Sequence, residues 1–406
     1  MTGARPHDGT TGTDGTAGDR DPPRDIAIVG GGICGLTTAV ALEQRGLSPT
    51  VYEAASAYRP VGAGILLQTN AMLVFDRLGL ADRIREAGVP LVGGGLRSTS
   101  GSFMTRFDLD AVERERFGYG FVAVHRADLQ QILLDALSVE VRTDMDCVAV
   151  SSTDPPRARF DDGTTITPDL LIGADGIHST VREAVAPGVT PRAIDAVAYR
   201  ALVSVDLPSA YRASGFEVWG DGVYAGGAPI DGDRFYLFAT VPERLTGPEA
   251  PPSAAAAALR ERLAGYPRPI PAALDALNPE DIVVSALEDL PSLPTWSRGR
   301  VVLAGDAAHA MLPFAAQGAA QSIEDGPALA DAVATCGTPA AAADQYQRAR
   351  RSRADRVRRE SNRLGRLGTM QSTVKCRLRN AAIRAVPDAV VRRLRRRQVA
   401  GTTLPG

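Results

Sequence analysis

The stretch Ile26-Ala27-Ile28-Val29-Gly30-Gly31-Gly32-Ile33-Cys34-Gly35 decides the fold. Its apolar half suits a buried parallel strand, and Gly30, Gly32 and Gly35 have the spacing of a dinucleotide-binding turn. In such a turn the first glycine permits the tight bend, the second lets a pyrophosphate approach the backbone, and the third lets the helix pack closely. A helix from Thr37 to Arg45 and a strand from Pro49 to Glu53 would complete a βαβ unit. The sequence therefore predicts a nucleotide-binding α/β fold.

Glu53 ends the second strand of this unit, 23 residues after Gly30. An acidic residue at that place can accept hydrogen bonds from a ribose diol. We also predict nucleotide contacts at Ile33, Cys34 and Ala54. The alternative is an ordinary glycine-rich turn with a surface glutamate, and the turn alone does not distinguish FAD from NAD.

Length and composition indicate a globular protein that works in the cytoplasm. The 406 residues are 44% hydrophobic, enough for one large or two medium domains. No apolar run reaches the ~20 residues of a membrane span, and the N-terminus lacks a secretion signal pattern. The four cysteines have neither metal-site nor disulfide-framework spacing, so a reducing compartment and no metal are expected.

The pattern along the chain predicts a Rossmann-like domain with an inserted sheet. Between Tyr199 and Phe238, alternating apolar and polar residues with glycine turns favour antiparallel strands, and eight of the chain's 21 aromatic residues lie there. A core explains such clustering, and so does a sheet with one face lining a ligand cavity. The predicted parts are a disordered tail (1–23), a discontinuous nucleotide-binding domain (24–95, 115–185 and 275–345), a mixed or antiparallel substrate-binding β-sheet domain (96–114 and 186–274) and basic C-terminal helices (346–406).

Two later motifs extend the evidence beyond a generic nucleotide fold. Gly173-Ala174-Asp175-Gly176 and Gly305-Asp306-Ala307-Ala308-His309 each follow an apolar strand-like run. Together with the first turn, in this order, they resemble the one-component flavin aromatic hydroxylases, the salicylate and p-hydroxybenzoate hydroxylase type. The resemblance spans about Ile26 to Asp325 and is weak over residues 185–275.

The resemblance implies FAD as the cofactor, because Asp306 matches the family aspartate that bonds the ribityl chain, which NAD lacks. Asp175-Gly176 matches a motif that supports the pyrophosphate region and is implicated in handling the nicotinamide. Many family members have glycine and asparagine where this chain has Ala316 and Ala320. The cofactor contacts implied by the family motifs are Gly64, Arg126, Asp175, Gly305, Asp306, Pro313, Gln317, Gly318 and Ala319.

The resemblance also implies the chemistry. NAD(P)H binds transiently and reduces the flavin, O2 gives a C4a-hydroperoxide, and an oxygen atom passes to an aromatic, polycyclic or polyketide-like substrate, with natural-product intermediates among the expected candidates. Tyr199, Arg200 and Pro313 are the candidate catalytic residues. The candidate pocket walls are Phe216, Trp219, Tyr224, Met311 and Phe314.

Other functions share parts of this pattern. An alkene epoxidase would carry every motif, and a non-catalytic FAD-binding regulatory flavoprotein would carry the nucleotide motifs alone. A flavin halogenase is disfavoured because that family relies on an active-site lysine, and the only lysine here, Lys375, lies in the basic C-terminal block. We expect structural roles for His125, His178 and His309, which lie in or beside the motifs.

The C-terminal block is strongly basic in a chain whose net charge is only −2. From Arg348 to Arg397 there are 18 basic residues against three acidic ones. The ordinary interpretation is a solvated helix face. The alternative is docking of an acidic partner, such as a carrier protein that presents a tethered substrate. Nucleic-acid binding is not expected, since no recognition fold accompanies the charge.

Overall fold

The structure is a computed structural model and describes residues 25–59, 63–243 and 247–402. The predicted tail, 1–23, lies outside the described residues. So do Val61 and Gly62, which begin a stretch that resembles the family's flavin-adjacent loop.

The strands form four sheets. In chain order they are β1 (Ile26–Val29), β2 (Pro49–Tyr52), β3 (Gly64–Leu67), β4 (Val89–Leu91), β5 (Gly93–Ser98), β6 (Phe103–Asp108), β7 (Phe121–His125), β8 (Val141–Arg142), β9 (Cys147–Thr153), β10 (Pro156–Phe160), β11 (Thr165–Ile166), β12 (Leu170–Gly173), β13 (Arg192–Ser204), β14 (Ser214–Trp219), β15 (Tyr224–Pro229), β16 (Arg234–Pro242), β17 (Val283–Asp289), β18 (Ser297–Arg298) and β19 (Val301–Leu303).

The helices connect and cover these sheets. They are α1 (Ile33–Glu43), α2 (Thr69–Arg77), α3 (Ala81–Ala87), α4 (Glu115–Phe117), α5 (Arg126–Asp135), α6 (Thr180–Val185), α7 (Pro252–Leu263), α8 (Ile270–Asp275), α9 (Asp306–His309), α10 (Gly318–Thr335), α11 (Pro339–Gly368), α12 (Thr373–Arg384) and α13 (Asp388–Ala400). No helix in the described ranges is long and apolar enough to cross a membrane.

The first large sheet has the order β18-β19-β12-β1-β2-β8 and is parallel except for β18. Every residue of β1, β12 and β19 is buried, as expected for parallel strands covered on both faces. Helix α1 begins at Ile33, four residues earlier than predicted. The early start is possible because Gly35 has no side chain: a Cβ there would lie 1.9 Å from the carbonyl oxygen of Gly30.

The second large sheet has the order β17-β13-β16-β15-β14-β5-β6. Its neighbours are antiparallel except β14 and β5, which are parallel. One face packs against α7 and α8, and the other faces the first sheet and the C-terminal helices. Strand β17 pairs with β13 here, so the predicted boundary at residue 275 falls before the last strand of this sheet.

The C-terminal helices are as arginine-rich as the sequence indicates, but they are not simply a solvated face. Arg350, Arg353, Arg358 and Arg379 are buried. Helix α11 lies against the one-turn segment Pro313–Ala315, where the Ser361 hydroxyl donates to the Leu312 carbonyl and accepts from the Ala315 amide at 3.2 Å. The interpretation of the block as a solvated face is therefore wrong for these arginines, because they bond carboxylates or backbone carbonyls inside the protein.

Candidate active site

One cavity of about 370 Å³ lies between the first sheet and the seven-stranded sheet. Loops that leave the carboxyl ends of β1, β12 and β19 form one end of it, which we call the nucleotide end. The seven-stranded sheet forms the other end, which we call the sheet end. The carboxyl ends of parallel strands are where open α/β sheets bind ligands.

The turn after β1 has the geometry that a pyrophosphate needs. Gly30 has φ +104°, and a Cβ there would lie 2.3 Å from the Ala174 carbonyl oxygen. A Cβ on Gly32, which lines the cavity, would meet nothing within 4 Å. The backbone at Gly32 is therefore open to the cavity at the N-terminus of α1, where amide groups and the helix dipole attract phosphate. The residues present fit a bound dinucleotide.

Asp306 and Arg126 bring charge to this end of the cavity. Both line it and remain exposed towards it, although Asp306 is surrounded by protein. Burial raises the pKa of Asp306 above its ordinary value, and the charges of His309 and Arg126 oppose that rise. The cavity is also lined here by Ile33, Cys34, Gly64, Pro313, Gly318 and Ala319.

Cys34 has no features of a reactive thiol. Its side chain is buried, and burial raises the pKa of the thiol well above its ordinary value. The thiolate is the reactive form of cysteine, so a raised pKa makes this residue a packing group beside Gly305.

Glu53 and Asp175 are placed behind the cavity lining. Glu53 accepts hydrogen bonds from the Gly31 amide (2.7 Å) and the Ala55 amide (2.9 Å), which fixes the glycine turn. Asp175 accepts from the Ser179 hydroxyl (2.5 Å) and the Val181 amide (3.0 Å) at the start of α6. Ala54 is exposed beside Glu53, and Gly305 is buried before α9. These carboxylates hold the turns that shape the nucleotide end.

A network of side-chain amides supports the loop between Leu312 and Gly318. Gln68 donates to the carbonyls of Ala315 (2.9 Å) and Ala316 (3.0 Å). Gln317 is buried and donates to the side-chain oxygens of Gln68 (2.6 Å) and Asn70 (3.2 Å), so its side chain supports the loop from behind. Ala316 itself is left-handed, with φ +50°, a conformation that costs a residue with a Cβ about 1 kcal/mol.

Behind that loop is a group of buried charges, the carboxylate–arginine cluster: Glu324, Asp325, Arg350 and Arg353. Arg350 donates to both carboxylates, and Arg353 donates to Glu324 at 2.7 and 2.8 Å. Burial alone would raise the pKa of each carboxyl, but Arg350 helps to hold both below their ordinary values.

Asp325 connects this cluster to the third sequence motif. It accepts from the Gly305 amide at 2.8 Å, and the His309 Nε2 lies 2.6 Å from the same carboxylate oxygen. Through Arg350, the same carboxylate joins the Gly305 turn to helix α11.

At the sheet end, one row of cross-strand neighbours lies along the cavity. Arg200 pairs with Phe238, Phe238 with Gly226, and Gly226 with Glu217. Arg200, Glu217 and Phe238 line the cavity. A Cβ on Gly226 would lie 2.7 Å from the Phe238 ring, so the glycine makes room for that ring in the row. This end of the cavity is also lined by two aromatic residues, Tyr224 and Tyr236, and by Met311.

Two predicted residues belong to the opposite face of the sheet. Tyr199 is 1% exposed and Phe216 is 5% exposed, and both belong to the core under α7 and α8. Phe216 does not line the cavity, so its prediction as a pocket wall is wrong, because successive strand residues alternate between faces. Tyr199 is among the residues that border the cavity although its side chain packs in this core, and its catalytic role stays a prediction. Trp219 and Phe314 lie behind Tyr224 instead of lining the cavity, the Phe314 ring 5.4 Å from that of Tyr224.

Sequence reasoning missed Glu217. It is half-buried, lines the cavity, and accepts a hydrogen bond from the Tyr224 hydroxyl at 2.8 Å. Burial raises the pKa of Glu217 above its ordinary value. The signal was present as a lone acid in the alternating stretch Phe216-Glu217-Val218-Trp219, but that pattern does not say which face borders a cavity.

Comparison with known proteins agrees with this geometry. The family described as FAD binding domain matches residues 24–220 and 288–361, more than half of the chain. The chain belongs to the FAD-dependent aromatic monooxygenases. These monooxygenases include the 2-heptyl-3-hydroxy-4(1H)-quinolone synthase of Pseudomonas aeruginosa, which is 34% identical over 93% of this chain and 98% of its own. They also include the 3-amino-4-hydroxybenzoate 2-monooxygenase PtnB3 of Streptomyces platensis, 35% identical over 90% and 92%.

A solved structure of this monooxygenase family has the same fold. Klebsiella pneumoniae HpxO complexed with FAD and uric acid superposes with a TM-score of 0.85, at 26% identity, over 94% of this chain and 98% of that one. The protein is thus an FAD- and NAD(P)H-dependent monooxygenase of the hydroxylating type. The interpretation as a non-catalytic flavoprotein is set aside.

Proposed function

We propose that FAD lies along the nucleotide end of the cavity and that an aromatic substrate lies against the seven-stranded sheet. The observation that carries this proposal is that one cavity joins the fingerprint turn and Asp306 to a row of aromatic and charged side chains. When bound, FAD accepts a hydride from NAD(P)H and supplies an oxygen atom derived from O2. The protein binds, orients and shields the reacting partners.

Each residue at the nucleotide end has a task that its position supports. The backbone at Gly32 and Ile33 receives the pyrophosphate at the start of α1. Glu53 holds the turn from behind the cavity lining, and its partly exposed carboxylate keeps lone pairs with which it accepts from a ribose hydroxyl beside the turn. Asp306 accepts from the ribityl hydroxyls. Arg126 offsets phosphate charge, because its guanidinium is exposed to the cavity. Gly318 and Ala319, with the Pro313 loop, present backbone to the flavin ring.

At the sheet end, Tyr224, Tyr236 and Phe238 provide flat apolar surface for an aromatic ring. Arg200 is held by a 3.0 Å hydrogen bond to Ser285 and donates to an oxygen of the substrate, which it orients. Met311 and Pro313 also line the cavity, and the apolar aromatic surface reduces the access of water to the reacting atoms.

Reduction and oxygenation test the activity directly. NAD(P)H should bleach the flavin rapidly under anaerobic conditions, and an aromatic substrate should stimulate aerobic NAD(P)H oxidation. Mass spectrometry with isotopically labelled O2 should find one labelled oxygen in a hydroxylated ring. An epoxide product would favour the epoxidase alternative. Substrate-stimulated NAD(P)H consumption without any oxygenated product would contradict the proposal.

Two glycine substitutions test the position of the cofactor. Gly32→Ala adds a methyl group where it meets no protein atom, so the apoprotein should keep its stability while FAD affinity falls about tenfold or more. Gly35→Ala adds the same group against the Gly30 carbonyl and should destabilise the apoprotein by about 1–3 kcal/mol. Thermal unfolding of apoprotein and fluorescence titration with FAD measure both. Unchanged FAD affinity in Gly32→Ala would place the pyrophosphate elsewhere.

A second proposal concerns an acidic partner. Five arginines (Arg116, Arg392, Arg393, Arg396 and Arg397) line a shallow depression on α13. In the part of the chain that the structure describes, none of them lies within 4 Å of a carboxylate. We propose that this depression docks an acidic carrier protein that delivers a tethered substrate.

Arg392→Glu with Arg393→Glu should abolish binding of a purified acidic acyl carrier protein at low salt and leave turnover of free substrate unchanged. Arg359→Glu, on the exposed side of α11, is the matched control. Carrier binding that survives the double reversal, or no carrier binding to the unmodified protein, would contradict the docking proposal. Arg395 is unsuitable for this test because it pairs with buried Glu113 at 2.8 Å.

A further inference from the structure

Glu217 is an acid in an otherwise aromatic part of the cavity, and no ion pair within the described ranges compensates its charge. Burial raises its pKa and outweighs the Trp219 indole and the more distant charge of Arg395, which favour its ionised form. Its carboxylate has one hydrogen bond of good geometry, from the Tyr224 hydroxyl at 2.8 Å. No arginine or lysine among the described residues lies within 4 Å of it. An ionised carboxylate has about four lone-pair sites on its two oxygens, so the tyrosine satisfies only part of its capacity.

An acid whose hydrogen-bonding capacity is only partly used lowers the stability of the fold in such a place. A function in ligand binding would explain why it is there. Glu324 and Asp325, which are more deeply buried, each have an arginine partner. Burying a charge without a partner is unfavourable, and perturbed acids in clefts are candidates for function. Packing alone does not explain Glu217, because the remaining surface of this residue borders the cavity.

Arg200 lies at the opposite end of the same row of cross-strand neighbours and has the charge complementary to that of Glu217. Arg200 and Glu217 are separated by Phe238 and Gly226, which is three inter-strand spacings or about 14 Å between backbones. Their long side chains shorten the gap between the charged atoms. A flat ring system lying across Phe238 would meet a hydrogen-bond donor at the Arg200 end and an acceptor at the Glu217 end.

We propose that Glu217 determines substrate specificity by accepting a hydrogen bond from a ring N–H or ring O–H of the substrate, while Arg200 donates to a carbonyl or phenolic oxygen at the far side of the ring. The substrate class is a neutral heteroaromatic of one or two fused rings with a ring N–H opposite an oxygen, such as a 4(1H)-quinolone or a hydroxypyridone. This inference rests on the proposed function, because it assumes that the aromatic substrate lies against the sheet.

The same carboxylate should select against acids at its end of the cavity. A benzoate carboxylate beside Glu217 would place two like charges in a partly desolvated site, which disfavours binding. The named relatives include both types of enzyme, a quinolone synthase and an aminohydroxybenzoate monooxygenase. Glu217 therefore favours a neutral N–H heterocycle, and not a benzoate, as the substrate of this chain.

Binding to the FAD-loaded enzyme in the absence of NAD(P)H provides a test that does not depend on turnover. The probes are 4(1H)-quinolone, its N-methyl analogue and 3-hydroxybenzoate, and the readout is the dissociation constant from the flavin difference spectrum. The unmodified enzyme should bind 4(1H)-quinolone about tenfold or more tightly than the N-methyl analogue, and more tightly than 3-hydroxybenzoate.

The variants locate the preference at Glu217. Glu217→Leu removes the acceptor and should bring the affinities for 4(1H)-quinolone and its N-methyl analogue to within about twofold. Glu217→Gln keeps an acceptor oxygen and should retain part of the preference. Glu280→Gln, an exposed glutamate beyond the other face of the sheet, is the matched control and should behave as the unmodified enzyme.

Three results would overturn the inference. They are equal affinity of the unmodified enzyme for quinolone and N-methylquinolone, tighter binding of 3-hydroxybenzoate, and an N–H preference that survives Glu217→Leu. If no probe binds, the assignment of the substrate class is also wrong. The proposed monooxygenase function is judged separately by anaerobic bleaching of the flavin with NAD(P)H, which needs no substrate contact with Glu217.

Discussion

The pKa values of buried acids shift in opposite directions in the cavity and in the carboxylate–arginine cluster behind it. In the cavity, burial raises the pKa of Asp306 and of Glu217, and the neighbouring charges and hydrogen bonds do not reverse that rise. In the cluster, Glu324 and Asp325 are buried as well, yet the charge of Arg350 helps to lower the pKa of both. The two regions lie on either side of the loop Pro313–Ala315.

The difference separates acids that hold the fold from acids that face a ligand. A carboxylate whose hydrogen bonds are all satisfied by the protein has no capacity left for a substrate or cofactor. A carboxylate whose remaining capacity borders a cavity is open to one. Substitutions in the two regions, and in the loop between them, test this comparison.

The largest effect is expected from Arg350→Ala. This change leaves Glu324 and Asp325 buried with less compensation, and losing one partner of a buried ion pair costs about 3–5 kcal/mol. Urea unfolding of the apoprotein measures the free energy of unfolding. FAD affinity should also fall, because Asp325 holds the Gly305 amide at the start of the Asp306 motif.

Arg359→Ala is the matched control on the same helix. Arg359 is exposed, so its removal should change the free energy of unfolding by less than about 0.5 kcal/mol. Equal effects of the two substitutions would mean that the cluster does not stabilise the fold.

An intermediate effect is expected when the same change, Glu to Gln, is made in each region. Glu217 has a raised pKa in the folded protein, so ionising it opposes folding at neutral pH. Glu217→Gln should therefore raise the unfolding temperature of the apoprotein at pH 7. The gain should disappear below about pH 4.5, where the carboxyl is protonated in both the folded and the unfolded state.

Glu324→Gln should have the opposite sign. The pKa of Glu324 is lowered on folding, so its ionised form stabilises the protein above the unfolded pKa of 4.5. That stabilisation is lost as the pH falls through the folded pKa. The variant should be less stable than the unmodified protein at pH 7, and the difference should shrink on acidification. If both Glu-to-Gln variants changed the stability at pH 7 in the same direction, the distinction between the two regions would be wrong.

The smallest effect is expected in the loop between the regions. Ala316 is left-handed, so Ala316→Gly should relieve strain and stabilise the apoprotein by up to about 1 kcal/mol. Ala315→Gly, one residue earlier in a right-handed turn, should destabilise it by about 0.5–1 kcal/mol. Thermal unfolding of both variants measures the contrast, and a loss of stability in Ala316→Gly would contradict it.

Local motifs at the nucleotide end were predictable because their geometry is short-range. Gly30, Gly32 and Gly35 act within one strand-turn-helix unit, and the strands at Ile26–Val29 and Leu170–Gly173 form where continuous apolar runs predict them. Asp306 follows its strand directly and reaches the cavity, as predicted for an acid at the carboxyl end of a parallel strand.

The sheet end was much harder to predict. Tyr199 and Arg200 are neighbours in sequence and both border the cavity, yet Tyr199 is 1% exposed and packs in the core beyond the sheet. A one-residue difference reverses the face of every strand residue, and the sequence does not say which face borders the ligand. Phe216 and Glu217 were misjudged for the same reason.

The sequence by itself determined the nucleotide-binding fold, the FAD motifs and the basic C-terminal block, because each is carried by consecutive residues of short or continuous stretches. Only the tertiary structure decided that four of the C-terminal arginines are buried and that Glu217 lines the cavity. Both facts depend on contacts between distant segments: α11 against α10, and β14 beside β15 in a sheet. Charge and alternation can be read from the residues, but the partner of a charge and the ligand-facing side of a strand exist only after the chain has folded.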